Sequence, residues 1–207
     1  MDIYVIETKG TDYSHIEKYL SCVGSTRRAA VKKKLSDEAK LQSLTAGLLV
    51  RSEIAKRMGI DVKKVVFCRG AHGKPYVRGG GVQFSLSHTE GAVCAAFSDG
   101  VEDIGVDIER CDRKVSDRLK QRTLSDNETN EVNSSDDFVK IWVKKEAFLK
   151  RTGLGIAQGL RGADTTLLPD IAVYSCGDYY IGISGKCADK ANIVHITFDE
   201  LLSRFEA

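Results

Sequence analysis

Two carboxylates stand two residues apart in Gly105-Val106-Asp107-Ile108-Glu109. Side chains two apart on a strand share a face, so Asp107 and Glu109 lie side by side while Val106 and Ile108 point into a core. Neighbouring carboxylates repel unless a cation or a proton lies between them, which makes a divalent-ion site physically reasonable. A solvent-facing acidic strand edge is the competing reading, and this motif alone does not choose. A second set is spaced for one helical stripe: Trp142, Glu146 and Lys150, four residues apart. Glu–Lys at that spacing is commonly a surface pair of small energetic value. The chain's sole tryptophan shares the stripe and should be largely buried, which puts the pair at the margin of a core. A third stretch, Gly73-Lys74-Pro75-Tyr76 followed by Phe84-Ser85-Leu86-Ser87-His88, offers ammonium, hydroxyl and imidazole groups able to bond phosphate oxygens. Without a G-x-S-x-G, Ser87-His88 alone does not make a serine hydrolase.

The elements that must hold these groups follow from pattern. Residues 2–7 read as a buried strand. Ser14 and Glu17 have capping-box spacing for a short helix. A basic run, Arg27-Arg28 and Lys32-Lys33-Lys34, precedes a long helix that starts at Ser36-Asp37-Glu38 and ends at Gly59. Leu41, Leu44, Leu48, Ala55 and Met58 keep roughly one of its faces. Strands are expected at 65–68, 82–86, 92–97 and 104–109, with glycine-rich turns between them. The second half offers a short helix near 126–132, a strong one near 136–151, strands near 171–175, 179–184 and 192–197, and a closing amphipathic helix from Phe198. The glycine-rich segment 153–159 follows a helix rather than a strand, so it is not a dinucleotide loop. Helices and a few strands in each half predict an α+β architecture of two packed lobes.

Composition excludes several classes. With 207 residues and 42% hydrophobic content, a proper interior can be buried, and a net charge of +2 gives no pointer to nucleic acid. Six cysteines form no C-x-x-C pair and read as reduced, packed thiols. The acidic N-terminus is unlike a signal peptide, and no apolar stretch approaches the ~20 residues needed to cross a bilayer. A cytoplasmic protein with no membrane partner is expected.

Taken in order, Gly73-Lys74-Pro75, Phe84-Ser85-Leu86-Ser87-His88, Gly105-Val106-Asp107-Ile108-Glu109 and Trp142-Val143-Lys144-Lys145-Glu146-Ala147-Phe148-Leu149-Lys150 resemble the signature of 4'-phosphopantetheinyl transferases of the larger, surfactin-type class. The match is strong from about residue 73 to 155. It implies two similar α/β lobes in pseudo-twofold arrangement, 1–101 and 102–207, with coenzyme A in the cleft between them. It implies Mg²⁺, with Mn²⁺ as the alternative, on Asp107, Glu109 and Glu146. Lys150 would stabilise charge on the transferred phosphate, and His88 would contact a coenzyme A phosphate. Lys74, Pro75 and Ser87 would line the nucleotide pocket. Arg27 and Lys32 are the nearest equivalents of the basic residues that hold the 3'-phosphate, while an arginine common early in the next helix falls at Gln42. Glu128 matches a glutamate the family often carries near the site, but Ser125 and Glu128 also form a capping box, and the structural role is favoured.

The implied reaction joins phosphopantetheine to a serine of an apo acyl or peptidyl carrier protein, and a monomer is expected. A Mg²⁺-dependent nuclease is the rival enzyme, disfavoured because Cys111 stands where such sites often carry a lysine. A catalytically silent coenzyme A-binding protein is disfavoured by the intact acids and Lys150. The carrier is expected to dock on a largely apolar surface between Asp112 and Asn133, with Leu119 and Leu124 as its contacts unless they belong to the core.

Overall fold

The computed structural model describes residues 1–70, 73–100, 102–153 and 159–206. The chain opens with β1 (Asp2–Glu7), buried along its interior as its apolar run requires. Helices α1 (Tyr13–Ile16), α2 (Ser25–Lys32) and α3 (Asp37–Met58) follow, then β2 (Phe67–Arg69), β3 (Pro75–Val77), β4 (Gln83–Thr89) and β5 (Ala92–Ser98). The second half runs β6 (Gly105–Arg110), α4 (Asp117–Thr123), α5 (Asp126–Thr129), α6 (Ser135–Thr152), β7 (Ile171–Cys176), β8 (Tyr179–Ser184), β9 (Asn192–His195) and α7 (Phe198–Ser203). Of the glycine-rich segment 153–159, residues 154–158 lie outside the described residues.

The cap of α1 is Asp12, whose carboxylate accepts the Ser14 amide, so the box expected from Ser14 and Glu17 does not form. The ends of α3 are where Ser36 and Gly59 put them, with Ser36 Oγ accepting the Ala39 N–H and Gly59 at φ 62°. Its apolar residues do not make a single stripe. Every residue from 41 to 55 is buried, because strands lie on one side and α1, α2 and α7 close over the others. The basic run at 25–32 also forms a helix that its spacing did not announce.

The two halves repeat one unit: a strand, a long helix, and a hairpin whose second strand pairs antiparallel with the first. In the first lobe these are β1, α3 and β4–β5; in the second, β6, α6 and β7–β8. The sheets have orders β4-β5-β1-β9 and β6-β8-β7, with β2–β3 a separate hairpin. This is a two-lobed α+β fold. The end of the chain crosses back, since β9 pairs parallel with β1 and α7 packs on α3. The residues of β9 and α7 thus pack with the first lobe although they follow the second in the chain.

Alternation divides the cores. Ile3 and Val5 of β1 with Ala92, Cys94 and Ala96 of β5 meet Val106 and Ile108 of β6 and Ile181 and Ile183 of β8, so the sheets pack face to face. Tyr4, Ile6, Phe84, Ala95 and Phe97 face the other way, onto α3. A third cluster, built on Leu124, Phe138, Val139 and Ile141, takes in Leu119 and Trp142.

Helix α6 lies unusually close to the second sheet. A Cβ on Gly105 would fall 1.9 Å from the Ala147 carbonyl oxygen, and one on Gly182 would fall 2.2 Å from that of Val143. Only glycine fits where a helix backbone approaches a strand this closely. Gly182→Ala should therefore lose about 3 kcal/mol or more, as overpacking against backbone does. Urea denaturation checks this, and an unchanged midpoint would contradict it.

Candidate active site

Strands β4 and β6 run side by side in the same direction but belong to different sheets, and side chains join them. Ser85 Oγ accepts the Val106 N–H at 3.0 Å, Ser87 Oγ donates to Asp107 Oδ1 at 2.7 Å, and Thr89 Oγ1 donates to Glu109 Oε1 at 2.5 Å. These hydroxyls occupy alternate positions on β4, the face that the strand period assigns them.

Helix α6 brings its stripe over the same place. Lys150 Nζ donates to Asp107 Oδ1 at 2.6 Å and to Ser87 Oγ at 2.7 Å. Glu146 is 9% exposed, and its Oε1 has no hydrogen-bond partner. Burial, and then the charge of Asp107, push its carboxyl above the usual range. Trp142 is half-buried, with Phe138 6.1 Å away between ring centroids and Arg113 stacked on it at 4.2 Å. Arg113 also pairs with Glu109.

Two connected clefts open here. The larger, about 900 Å³, runs between the lobes along α2, α3, β2 and β4. The smaller, about 390 Å³, holds Asp107, Glu109, His88, Arg113 and Trp142, and shares Leu86, Glu146 and Lys150 with the larger. The ionic groups lining the larger cleft are Arg27, Arg51, Arg69, Lys74 and Lys150, against the carboxylate of Glu146. Such a low-dielectric cleft, with cations in excess among its described residues, concentrates anions. The stem of Arg27 lies over Gly47, where a Cβ would come within 3.0 Å of it. Arg51 donates to the Val62 carbonyl at 2.7 Å and stacks on Phe67.

The remaining expected residues divide. Lys74 lines the cleft, but its ammonium bonds Asp103 and the Arg151 carbonyl at 2.8 Å each, tying the hairpin to the second lobe. Pro75 lines the cleft beside it. His88 lines the smaller cleft at an exposed position. Partial burial of the ring, and then the positive charges of Lys150, Lys34 and Arg27, hold its pKa below the usual imidazole value. Lys32 is exposed and lines neither cleft. Gln42 donates to the Thr89 carbonyl at 2.7 Å and so fixes α3 to the end of β4. Of the two leucines expected to meet the carrier, Leu124 is 4% exposed and belongs to the core, while Leu119 is half-buried against the same cluster; the exposed residues of that segment are mixed in charge, with Lys114, Arg118 and Arg122 beside Asp112, Asp117, Asp126 and Glu131.

Glu128 is structural. It completes the capping box with Ser125, accepts the amide and hydroxyl of Thr165 at 2.8 Å each, and pairs at 2.6 Å with Lys145. Both partners of that pair are fully buried, and Lys145 also donates to the carbonyls of Leu160 and Ala163. Arg51, Arg69, Thr89 and Arg113 are site residues the sequence reading missed. Thr89 was accessible, being two beyond Ser87 on the same strand face; Arg113 is four beyond Glu109, a helical spacing on a segment that is not a helix, so pattern gave no reason to join them.

The donor set suits a hard cation. Asp107, Glu109 and Glu146 supply only oxygens, and the buried, unpartnered Glu146 Oε1 lacks a partner that an ion would provide. As they stand, no group of three possible ligands among the described residues converges tightly enough to cage an ion. Asp107 and Glu109 are instead each paired with a protein cation.

A polyanion lying along the cationic cleft would present its phosphates to these acids and Lys150, the arrangement of an enzyme that transfers a phosphate-linked group. Comparison with known proteins narrows the class. The profile of the 4'-phosphopantetheinyl transferase superfamily matches residues 103–191, and that of the 4'-phosphopantetheinyl transferase N-terminal region matches residues 11–99. The 4'-phosphopantetheinyl transferase psf-1 of Bacillus pumilus is 27% identical over 99% of this chain and 98% of its own length. The 4'-phosphopantetheinyl transferase Sfp of Bacillus subtilis is 26% identical over 74% of this chain and 70% of its own. The 4'-phosphopantetheinyl transferase HetI of a Nostoc species is 34% identical over 55% of this chain and 53% of its own. The chain belongs to the 4'-phosphopantetheinyl transferase superfamily.

The structural role of Glu128 is open to test. Burial raises its pKa, but Lys145 and the bonds from Ser125 and Thr165 outweigh it and hold the carboxyl below its usual value. Its stabilisation is then complete above the unfolded pKa and is lost as pH falls through the folded one. Glu128→Gln should cost about 3–5 kcal/mol near pH 7, the usual penalty for leaving a buried charge alone. Denaturation curves of the two proteins should converge in acid, and parallel curves down to the lowest pH would contradict the assignment.

Proposed function

We propose that this transferase moves 4'-phosphopantetheine from coenzyme A to a serine hydroxyl of an apo carrier protein, releasing adenosine 3',5'-bisphosphate, with Asp107, Glu109 and Glu146 holding Mg²⁺. The observation that carries this reading is the charge contrast: a cationic interlobe cleft of about 900 Å³ that runs into a cluster of three carboxylates. Coenzyme A carries phosphates at both ends of its nucleotide, and Arg27, Arg51 and Arg69 supply cations at the far end while Lys150 supplies one at the reacting end.

The serine oxygen attacks the β-phosphorus, the phosphoanhydride bond breaks, and the nucleotide carries the electron pair away. When bound, the divalent ion supplies charge neutralisation on the pyrophosphate. Glu146 lines both clefts beside Lys150 and is placed to take the serine proton through the carboxylate oxygen that the ion leaves free. Lys150 is oriented by Asp107 and Ser87, and its ammonium offsets negative charge as it builds on the leaving group. His88, at the edge of the smaller cleft, would donate a hydrogen bond to a phosphate oxygen.

Intact-mass analysis after incubation with coenzyme A, Mg²⁺ and a panel of apo carriers should show the phosphopantetheine increment. Asp107→Ala and Glu109→Ala should each abolish it while keeping the fold; turnover near wild type in either, at saturating Mg²⁺, would refute the ion assignment. Arg27→Ala should weaken coenzyme A binding about tenfold, the scale of one lost charge-assisted bond. Calorimetry would detect this, and an unchanged Kd would remove Arg27 from the nucleotide pocket.

A further inference from the structure

Arg113 stands four residues beyond Glu109 on the segment joining β6 to α4, and the reaction above gives it no task. Two contacts hold its guanidinium: an ion pair with Glu109 Oε2, and the face of Trp142 at 4.2 Å. The other oxygen of Glu109 is already taken by the Thr89 hydroxyl and the Arg110 amide. Arg113 therefore occupies the carboxylate oxygen that an incoming ion would need. Across the small cleft, Glu146 presents its unpartnered oxygen, so the site combines one carboxylate group lacking a partner with another blocked by a protein cation.

We infer that Arg113 is the resident counter-ion of the carboxylate cluster, and that a divalent cation binds by displacing it from Glu109. This rests on the reading of the cluster as a cation site. Displacement is easy for this side chain. Its 26% exposure leaves it room to move, and a guanidinium is weakly hydrated and keeps its hold on an indole face after the ion pair opens. The three carboxylates with Lys150 and Arg113 carry one net negative charge before the ion arrives, and exchanging Arg113 for a divalent ion brings the cluster to formal neutrality. Arg113 thus lowers ion affinity by competition and sets the concentration at which the site fills.

Two titrations of the whole protein test this. Mn²⁺ binding is read by electron paramagnetic resonance. Mg²⁺ binding is read by emission of Trp142, the only tryptophan in the chain. In the wild type, Mg²⁺ should change the emission as the guanidinium shifts on the ring. Arg113→Gln should bind Mn²⁺ roughly fivefold more tightly, about 1 kcal/mol, and lose the Mg²⁺-dependent emission change; Arg113→Lys, which keeps the charge, should bind Mn²⁺ as the wild type does. Equal or weaker Mn²⁺ affinity in Arg113→Gln would overturn the inference. So would Mn²⁺ binding by the wild type with no emission response to Mg²⁺, a result that needs no variant to fold. If neither wild type nor variant binds Mn²⁺, the cation-site reading itself fails, which is a different outcome.

Discussion

Helix α6 can reach the second sheet only because Gly105 and Gly182 present no side chain to it. With any larger residue at either position the helix would stand off, and Glu146 and Lys150 would rise away from Asp107. The contact is backbone against backbone, so it fixes the helix height more rigidly than interdigitating side chains could. Lys150 then meets Asp107 and Ser87 at hydrogen-bonding distance, while Glu146 is close enough to Asp107 to feel its charge. The buried Glu128–Lys145 pair, one residue along the helix from Glu146, anchors α6 to the segment around Leu160 and Ala163.

The seam between β4 and β6 is the complementary device. A backbone ladder would have merged the two sheets into one. Serine and threonine hydroxyls instead satisfy Val106, Asp107 and Glu109 one bond at a time, leaving the lobes joined but splayed. The acids sit at the line where two sheets meet without fusing. Both lobes contribute to the site: one supplies hydroxyls and cleft cations, the other supplies carboxylates and Lys150.

Much of this was legible in the sequence because it follows local period. Alternation placed Asp107 with Glu109 and opposed them to Val106 and Ile108; a spacing of four placed Glu146 with Lys150; Ser36 and Gly59 marked the ends of α3. What failed was whatever depends on distant packing. The single stripe expected on α3 gave way because neighbours surround that helix, which no pattern along its own length can reveal. Leu119 and Leu124 looked available for a partner because their cover comes from Phe138 and Ile141 on another helix. Lys32 and Arg27 were equivalent as basic residues, and only the folding of 25–32 into a helix turned one toward the cleft and the other to solvent.

The return of β9 to the first lobe has a consequence for how the chain is made. Asp2 pairs with Asn192, 190 residues away, so β1 lies inside its finished sheet but gains its second neighbour only long after it has itself been made. The hairpin β4–β5 can zip onto one side of β1 early, but the opposite flank of β1 waits for the second lobe to be synthesised. At roughly 5–20 residues per second that flank stays open for on the order of ten seconds. An uncovered strand edge is a template for pairing with other chains. Translation speed through the second lobe therefore sets how long each nascent molecule is exposed to capture by its neighbours.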